Sequence, residues 1–128
     1  MMRRLLLLAV PLLFMACSES KPDRAAALAA CRYYNQLIAG NADSFVRGME
    51  LPDTIPDGYR RQLIDNALMF LEQQKREHGG ISRVEVQNCI NDSVAPTAQA
   101  FLLLCFGDST VEEVVVPMVR RDGVWRMK

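Results

Sequence analysis

The 128 residues contain one histidine, one tryptophan and no excess of either charge sign, with Lys plus Arg and Asp plus Glu at 15 each. Each shortage removes a class of function. A lone His78, with no Cys-x-x-Cys and no Cys/His spacing around it, cannot complete a zinc ligand set. Without a basic surplus the chain has no general attraction to nucleic acid or to anionic lipid. The basic pairs Arg60-Arg61 and Arg120-Arg121 are too short to be patches and read as a solvated helix start and a hairpin turn. No internal repeat or low-complexity tract is present. Nor is there an apolar run long enough to cross a bilayer: Leu5 to Cys17 is 13 residues, against the roughly 20 that a spanning helix needs.

That short run is what the sequence has instead. Arg3 and Arg4 precede it, Leu5 to Phe14 form its apolar body, and Ala16 is the small residue expected before a cleavage point. This is the pattern of a secretory signal. Cys17 follows directly, so Phe14-Met15-Ala16-Cys17 resembles the bacterial lipobox, with Phe and Met in place of the commoner Leu and small residue. The resemblance implies a diacylated Cys17 at a new N-terminus. The expected organisation is a lipoprotein signal peptide over residues 1–16, the lipidated Cys17 and a short tether over residues 17–22, and one domain over residues 23–128. Two or three acyl chains, at about 0.8 kcal/mol per buried CH₂, anchor a protein stably where one does not. The tether reaches less than about 20 Å, which places the domain beside its membrane in the bacterial cell envelope, on the periplasmic or cell-surface side. Past Cys17, thirteen basic residues face 15 acidic ones, a net charge of −2.

Cys31, Cys89 and Cys105 remain, in a compartment that permits disulfides. Being odd in number, they allow at most one internal bridge. If Asn91 to Pro96 turns a hairpin, Cys89 and Cys105 lie roughly 20 Å apart at about 3.3 Å per residue, too far for a bond. A bridge from Cys31 to either stays open beside three free thiols.

Asp23 is a good N-cap for "RAAALAACRYYNQLIA", in which Ala27, Ala30, Cys31, Tyr34, Leu37 and Ile38 recur at helical spacing until Gly40. "NADSFVRGM" gives one or two further turns, begun by Asn41 or Asp43. Thr54, Pro56 and Asp57 read as the start of a helix running from about Pro56 to His78. Its apolar stripe is Tyr59, Leu63, Ile64, Ala67, Leu68, Phe70 and Leu71, and Gly79-Gly80 stops it. His78 sits with Lys75 and Arg76 at the negative helix end, as a charge partner rather than a base. From Ile81 the period becomes two, with Val84, Val86 and Asn88 alternating against Arg83, Glu85 and Gln87. "TAQAFLLLCF", the turn "GDST", "VEEVVVPMVRR", the turn "DG" and "VWRMK" complete a four-stranded antiparallel meander. Pro117, lacking an amide donor, belongs at a bulge or near an edge.

Two or three N-terminal helices packed on one face of a curved antiparallel sheet make an α+β domain. This order, with "YYNQLIAGNADSFV" and "RRDGVWRMK", resembles the cone-shaped fold of the nuclear transport factor 2-like (NTF2-like, cystatin-like) superfamily. It is similar in particular to the small bacterial lipoproteins of domain of unknown function 4878, whose first helix runs into an "aG(D/N)" turn and whose last hairpin reads "dGkWk". The resemblance would cover about Asp23 to Lys128, and it implies a fold rather than an activity.

Relatives in that superfamily include isomerases, dehydratases and cyclases, whose pockets set an aspartate or histidine base beside a tyrosine or second acid in an apolar cone. No such pair stands out here. Phe101 to Phe106 and Val114 to Val119 contain no ionisable side chain except Cys105. Glu112 and Glu113 flank a turn, Asp65 falls on a solvated helix face, and Tyr33, Tyr34 and Tyr59 read as core residues with rim hydroxyls. The chain is therefore expected to be a membrane-anchored lipoprotein that binds a small apolar ligand or an envelope protein without transforming it. No catalytic residue, metal ligand or cofactor is expected, and Cys17 is the one functional side chain singled out. An isomerase- or cyclase-like enzyme of the same fold is the alternative. "FLLLCF" and "VVVPMV" are apolar on both strand faces, whereas a sheet covered by helices on one side is normally polar on the other. The second face should therefore be covered, most economically by a second copy packed sheet to sheet. Trp125, on the terminal strand, is expected to be structural.

Overall fold

The computed structural model describes residues 24–93 and 96–128. The expected signal peptide over residues 1–16, the expected lipidation site Cys17 and tether over residues 17–22, and Asp23, expected to cap the first helix, lie outside the described residues. Three helices, α1 (Ala25–Ile38), α2 (Ala42–Arg47) and α3 (Asp57–His78), precede four strands, β1 (Ile81–Asn91), β2 (Thr97–Phe106), β3 (Val111–Arg121) and β4 (Val124–Met127). The strands pair in sequence order, each antiparallel to the next. The expected α+β meander is thus the observed architecture.

α1 is built of alanines where it lies on the sheet: Ala26, Ala27, Ala29 and Ala30 are at most 2% exposed. Side chains of one carbon let the helix approach the strands closely and cost no rotamer entropy when buried. Its two flanks reach opposite edges. Cys31 Sγ lies 3.8 Å from the Val84 carbonyl on β1, and the Tyr33 hydroxyl donates to the Trp125 carbonyl on β4 at 2.6 Å. Under the Tyr33 ring passes Gly48, where a Cβ would lie 2.5 Å from a ring carbon, so any larger residue must push the tyrosine away. Beyond Gly48 the chain pairs with β4: Met127 N donates to Gly48 O at 2.8 Å and Glu50 N to Met127 O at 2.7 Å. That short segment covers an edge that would otherwise be open for pairing.

α3 begins with Pro56 as its N-cap and makes no side-chain cap, so the cap expected from Thr54 is not formed. The Tyr59 and Arg60 amides are satisfied by the Pro56 carbonyl instead. Its contact stripe is narrower than the periodicity implies. Ala67 and Gln74 are buried, but Tyr59 and Leu68 are exposed, because α3 packs mainly on α2 and the edge strand β1 rather than across the sheet. The C-terminus of α3 is fastened to the β2–β3 turn, with Gly107 N donating to Gly80 O at 2.8 Å and Asp108 N to His78 O at 2.9 Å. A Cβ on Gly107 would sit 2.6 Å from the Gly79 carbonyl oxygen, so this approach of two backbones requires glycine.

Within the sheet, β1 departs from simple alternation. Its ladder skips Gln87, so that Asn88 pairs with Phe101 and Cys89 with Ala100. The extra residue of a bulge exchanges the faces, and Cys89, not Asn88, joins Val84 and Val86 on the core side. All three cysteines of the domain are free, and Cys89 (opposite Ala100) and Cys105 (opposite Arg83) are separated along the hairpin as expected. Pro117 lies one residue beyond the β3–β4 ladder, which runs from Met118 to Arg121, and its carbonyl accepts from Lys128 N at 2.9 Å. Its missing amide is therefore not needed. Asp122 and Gly123, with φ of 53° and 79°, form the two-residue turn that suits the twist of a hairpin. On the face away from α1 lie Ile90, Phe101, Leu103, Val111 and Val115. Neighbours along the strand go opposite ways: Val115 is 47% exposed and Val116 6%.

Candidate functional site

The space between helices and sheet, where the resemblance implied a ligand cavity, is occupied by side chains. Leu37, Val46, Leu102, Leu104 and Met118 are at most 1% exposed. Of the tyrosines, Tyr33 spends its hydroxyl on the Trp125 backbone. Tyr34 stands edge-on to Phe45 at 5.3 Å, and burial pushes its hydroxyl pKa up. Tyr59 faces solvent, as do Asp65, Glu112 and Glu113. Burial raises the Cys31 thiol more strongly than the Asn35 hydrogen bond and the Arg32 charge lower it, which leaves it a poor nucleophile at neutral pH. Trp125 is partly buried against the core, with the Arg120 guanidinium 5.6 Å from its ring centroid. Among the described residues no group of three or more His, Cys, Asp and Glu could hold a metal, and no helix is long and apolar enough to cross a membrane.

His78 is not isolated, as its place in the sequence implied. The β2–β3 turn brings Asp108 Oδ2 to 3.1 Å from its Nδ1, and its ring stacks on Phe106 at 4.5 Å between centroids. Asp108 also accepts from the Thr110 hydroxyl and amide. Those Thr110 hydrogen bonds, the hydroxyl's first, and after them the bond and charge of His78, hold the Asp108 carboxyl below its ordinary pKa. The pair is open to water, with the two side chains 34% and 39% exposed. His78 lies in the last turn of α3, at its negative end, as the sequence suggested.

The densest gathering of charge is elsewhere. A cleft of about 330 Å³ lies where the α2–α3 connection meets the β3–β4 hairpin, lined by Arg47, Arg60, Arg121 and Arg126 with Glu50, Asp53 and Asp122. Arg47 is paired with Asp43 at 2.6 Å on its own helix, and Arg121 with Glu50. Arg126 donates to the Arg47 carbonyl at 3.3 Å. Among the described residues neither Arg60 nor Arg126 is paired with a carboxylate. A second cleft of about 440 Å³ shares Glu50 and Arg121 and adds Arg120 and Lys128. Arg60 and Arg126, the two partly buried arginines of the first cleft, keep donors that suit a planar or tetrahedral oxyanion. Taken pair by pair along the chain, these arginines read as solvated surface. They become one site because α2, α3 and the last hairpin converge.

No family model and no curated protein matches this chain. Among solved structures, a protein from Campylobacter jejuni provisionally assigned as an NTF2-like transpeptidase superposes with a TM-score of 0.62 at 15% identity, over 77% of this chain and 92% of that one. At that identity the likeness shows the fold, which is NTF2-like.

Proposed function

We propose that this chain is a membrane-anchored envelope lipoprotein, similar to domain of unknown function 4878, whose NTF2-like domain is an accessory binding module and not an enzyme. The observation that supports it best is the bare outer face of the sheet. Ile90, Phe101, Leu103 and Val115 lie together there, and Ile90 and Val115 are about half exposed. Contiguous apolar surface on the side of a sheet that helices do not cover is a common mark of protein–protein contact. A second copy packed sheet to sheet is the occupant we favour, with an envelope protein as the runner-up. A small apolar ligand has less support, since side chains fill the interior where it would sit. Anchoring through Cys17 rests on the charged, apolar and small-residue order around it.

A transpeptidase reading, borrowed from the Campylobacter neighbour, would need a nucleophile hydrogen-bonded to a base. His78 with Asp108 has the form of a base and its orienting acid, but among the described residues no serine, threonine or cysteine side chain is hydrogen-bonded to the His78 ring. An isomerase or cyclase would need an acid or histidine inside the domain, where Gln74 is the one buried polar side chain among the described residues.

Two measurements on the full chain test the proposal. Metabolic labelling with a fatty acid should mark the protein and hold it in the membrane fraction, and Cys17→Ser should lose both; an unlabelled mature chain overturns the anchor. Sedimentation in detergent should give a dimer that Val115→Arg converts to a folded monomer. A monomer for the unmutated chain at about 50 µM, above typical dimer constants, overturns the self-association.

A further inference from the structure

We infer that α3 and the connection leading into it form a strap, fastened at its His78–Gly80 end, that opens as a unit and admits an apolar ligand to the core surface beneath it. The opening stands on geometry alone; the ligand rests on the binding role proposed above. The first observation is how α3 is attached. From Leu51 to Glu77, helix caps aside, no described residue is hydrogen-bonded or ion-paired outside this stretch: the Tyr59 and Arg60 amides turn back to Pro56, and Gln62 with Asn66 and Gln73 with Glu77 bond within the helix. The fastenings flank it. Before it, Glu50 N donates to the Met127 carbonyl at 2.7 Å; after it, Asp108 N donates to His78 O at 2.9 Å and Gly107 N to Gly80 O at 2.8 Å. The start of α3 has no side-chain cap and carries Gly58 in its first turn, where glycine weakens a helix.

The second observation is what α3 rests on. Of its 22 residues, Ala67 and Gln74 alone are buried, while Leu63, Ile64, Phe70 and Leu71 pack against the core only partly covered. The Gln74 side chain is 8% exposed and makes no hydrogen bond with any described residue. A buried primary amide without a partner opposes the closed position, because it regains water when the helix lifts. The seam of α3 is thus an alanine and an amide that favours leaving, whereas that of α1 holds Leu37 and four alanines at most 2% exposed. Lifting α3 from its unfastened start uncovers the apolar surface under Leu63, Ile64, Phe70 and Leu71, which is closed while the strap lies down.

Thiol labelling of the full chain tests the opening. Ala67→Cys and Ala100→Cys place a reporter at buried alanines of the strap and of the sheet, 7% and 0% exposed, and labelling read site by site by mass spectrometry measures how often each position opens. We expect Ala67→Cys to be labelled about 100-fold faster than Ala100→Cys. Adding Gln74→Leu, or Gln74→Met with its similar length, should slow Ala67→Cys about tenfold by removing the unpaired amide. Adding Val116→Ala, which weakens the sheet, should speed Ala100→Cys about tenfold and leave Ala67→Cys unchanged. Equal labelling of the two positions overturns the strap, and so does an equal response of both to Val116→Ala or no response to either Gln74 variant. On the unmutated chain, the amides of Leu63 to Leu71 should exchange faster than those of Leu102 and Leu104, since an undocked helix is only marginally formed in water; equal exchange also overturns it. The apolar fluorophore N-phenylnaphthylamine should bind Gln74→Leu about tenfold more weakly than the unmutated chain, because apparent affinity follows the population of the open form. Equal binding to the two overturns the admission of ligand and leaves the strap, and loss of binding in Val115→Arg alone does the same by placing the probe on the outer sheet face.

Discussion

From Phe101 to Leu104 and at Val115 and Val116 the two faces of the sheet are both apolar, and they are covered unequally. Ala98, Ala100, Leu102, Leu104, Val116 and Met118 lie under α1 with almost no exposure. Phe101, Leu103 and Val115, one position along the same strands, are left half-buried or exposed. Side chains alternate across a strand, so the hydrophobicity of "FLLLCF" says that both faces avoid water and not which one is served within the chain. The choice is made by the alanines of α1, which bring a helix close to one face and to that face alone. The other has no helix over it, and Ile90, Val111 and Val115 there stay about half exposed.

The sharpest way to break the comparison is to place one charge on each face. Val116→Arg puts a guanidinium among Ala100, Leu102 and Met118 with no carboxylate to pair it, and should cost more than about 4 kcal/mol, enough to unfold a domain of this size. Val115→Arg, next in the chain, should keep the native circular dichroism. If both variants fold, or both fail, the faces differ less than their exposure implies. A milder pair follows. Leu102→Ala should cost about 2–5 kcal/mol in urea denaturation, and Leu103→Ala less than about 1.5 kcal/mol. The Leu103→Ala deficit should also vary with protein concentration if the outer face is a subunit interface, since association stabilises by mass action.

What the sequence disclosed and what it hid divide by the range of the interactions. Turns at Gly79-Gly80, Asp108-Ser109 and Asp122-Gly123 were legible because each depends on the conformational preferences of one or two residues. Helix α1 and the four strands were legible because periodicity is local, and the NTF2-like order followed from them. The bulge at Gln87 was not, since an extra residue in a ladder is defined by the partner strand; Asn88 was therefore assigned to the wrong face. Tyr59 and Leu68 were counted into a buried stripe whose width depends on how α3 is tilted against α2 and β1. The candidate site was the least legible part. Arg47, Arg60 and Arg126 are spread over 79 positions of sequence, from Arg47 to Arg126, and no periodicity marks residues that meet only when two loops and a hairpin converge. His78 and Asp108 became a pair for the same reason, through backbone hydrogen bonds between an α3 terminus and a distant turn.

The smallest effect compares that junction with the sheet interior as pH falls. The Thr110 hydroxyl and amide, and then His78, hold the Asp108 carboxyl below its ordinary pKa, so the folded state favours the ionised form more than the unfolded state does. Such a group stabilises the fold fully above its unfolded pKa, about 3.9 for aspartate, and the contribution disappears as pH falls through the lower folded value. Because Asp108 is open to solvent, the loss should be local rather than global. The amides of Gly107 and Asp108, which donate to Gly80 and His78, should lose hydrogen-exchange protection as pH falls below about 4, after correction for intrinsic rates. The Leu102 amide, in the central ladder, should keep its protection over that range. Asp108→Asn should remove the part of the pH dependence at the junction that the Asp108 carboxyl carries. Thr110→Val removes the strongest of the hydrogen bonds and should move the onset to higher pH, toward the ordinary carboxylate value. If Gly107 and Leu102 lose protection together at every pH, the junction does not open independently of the sheet, and the acid response belongs to the whole fold.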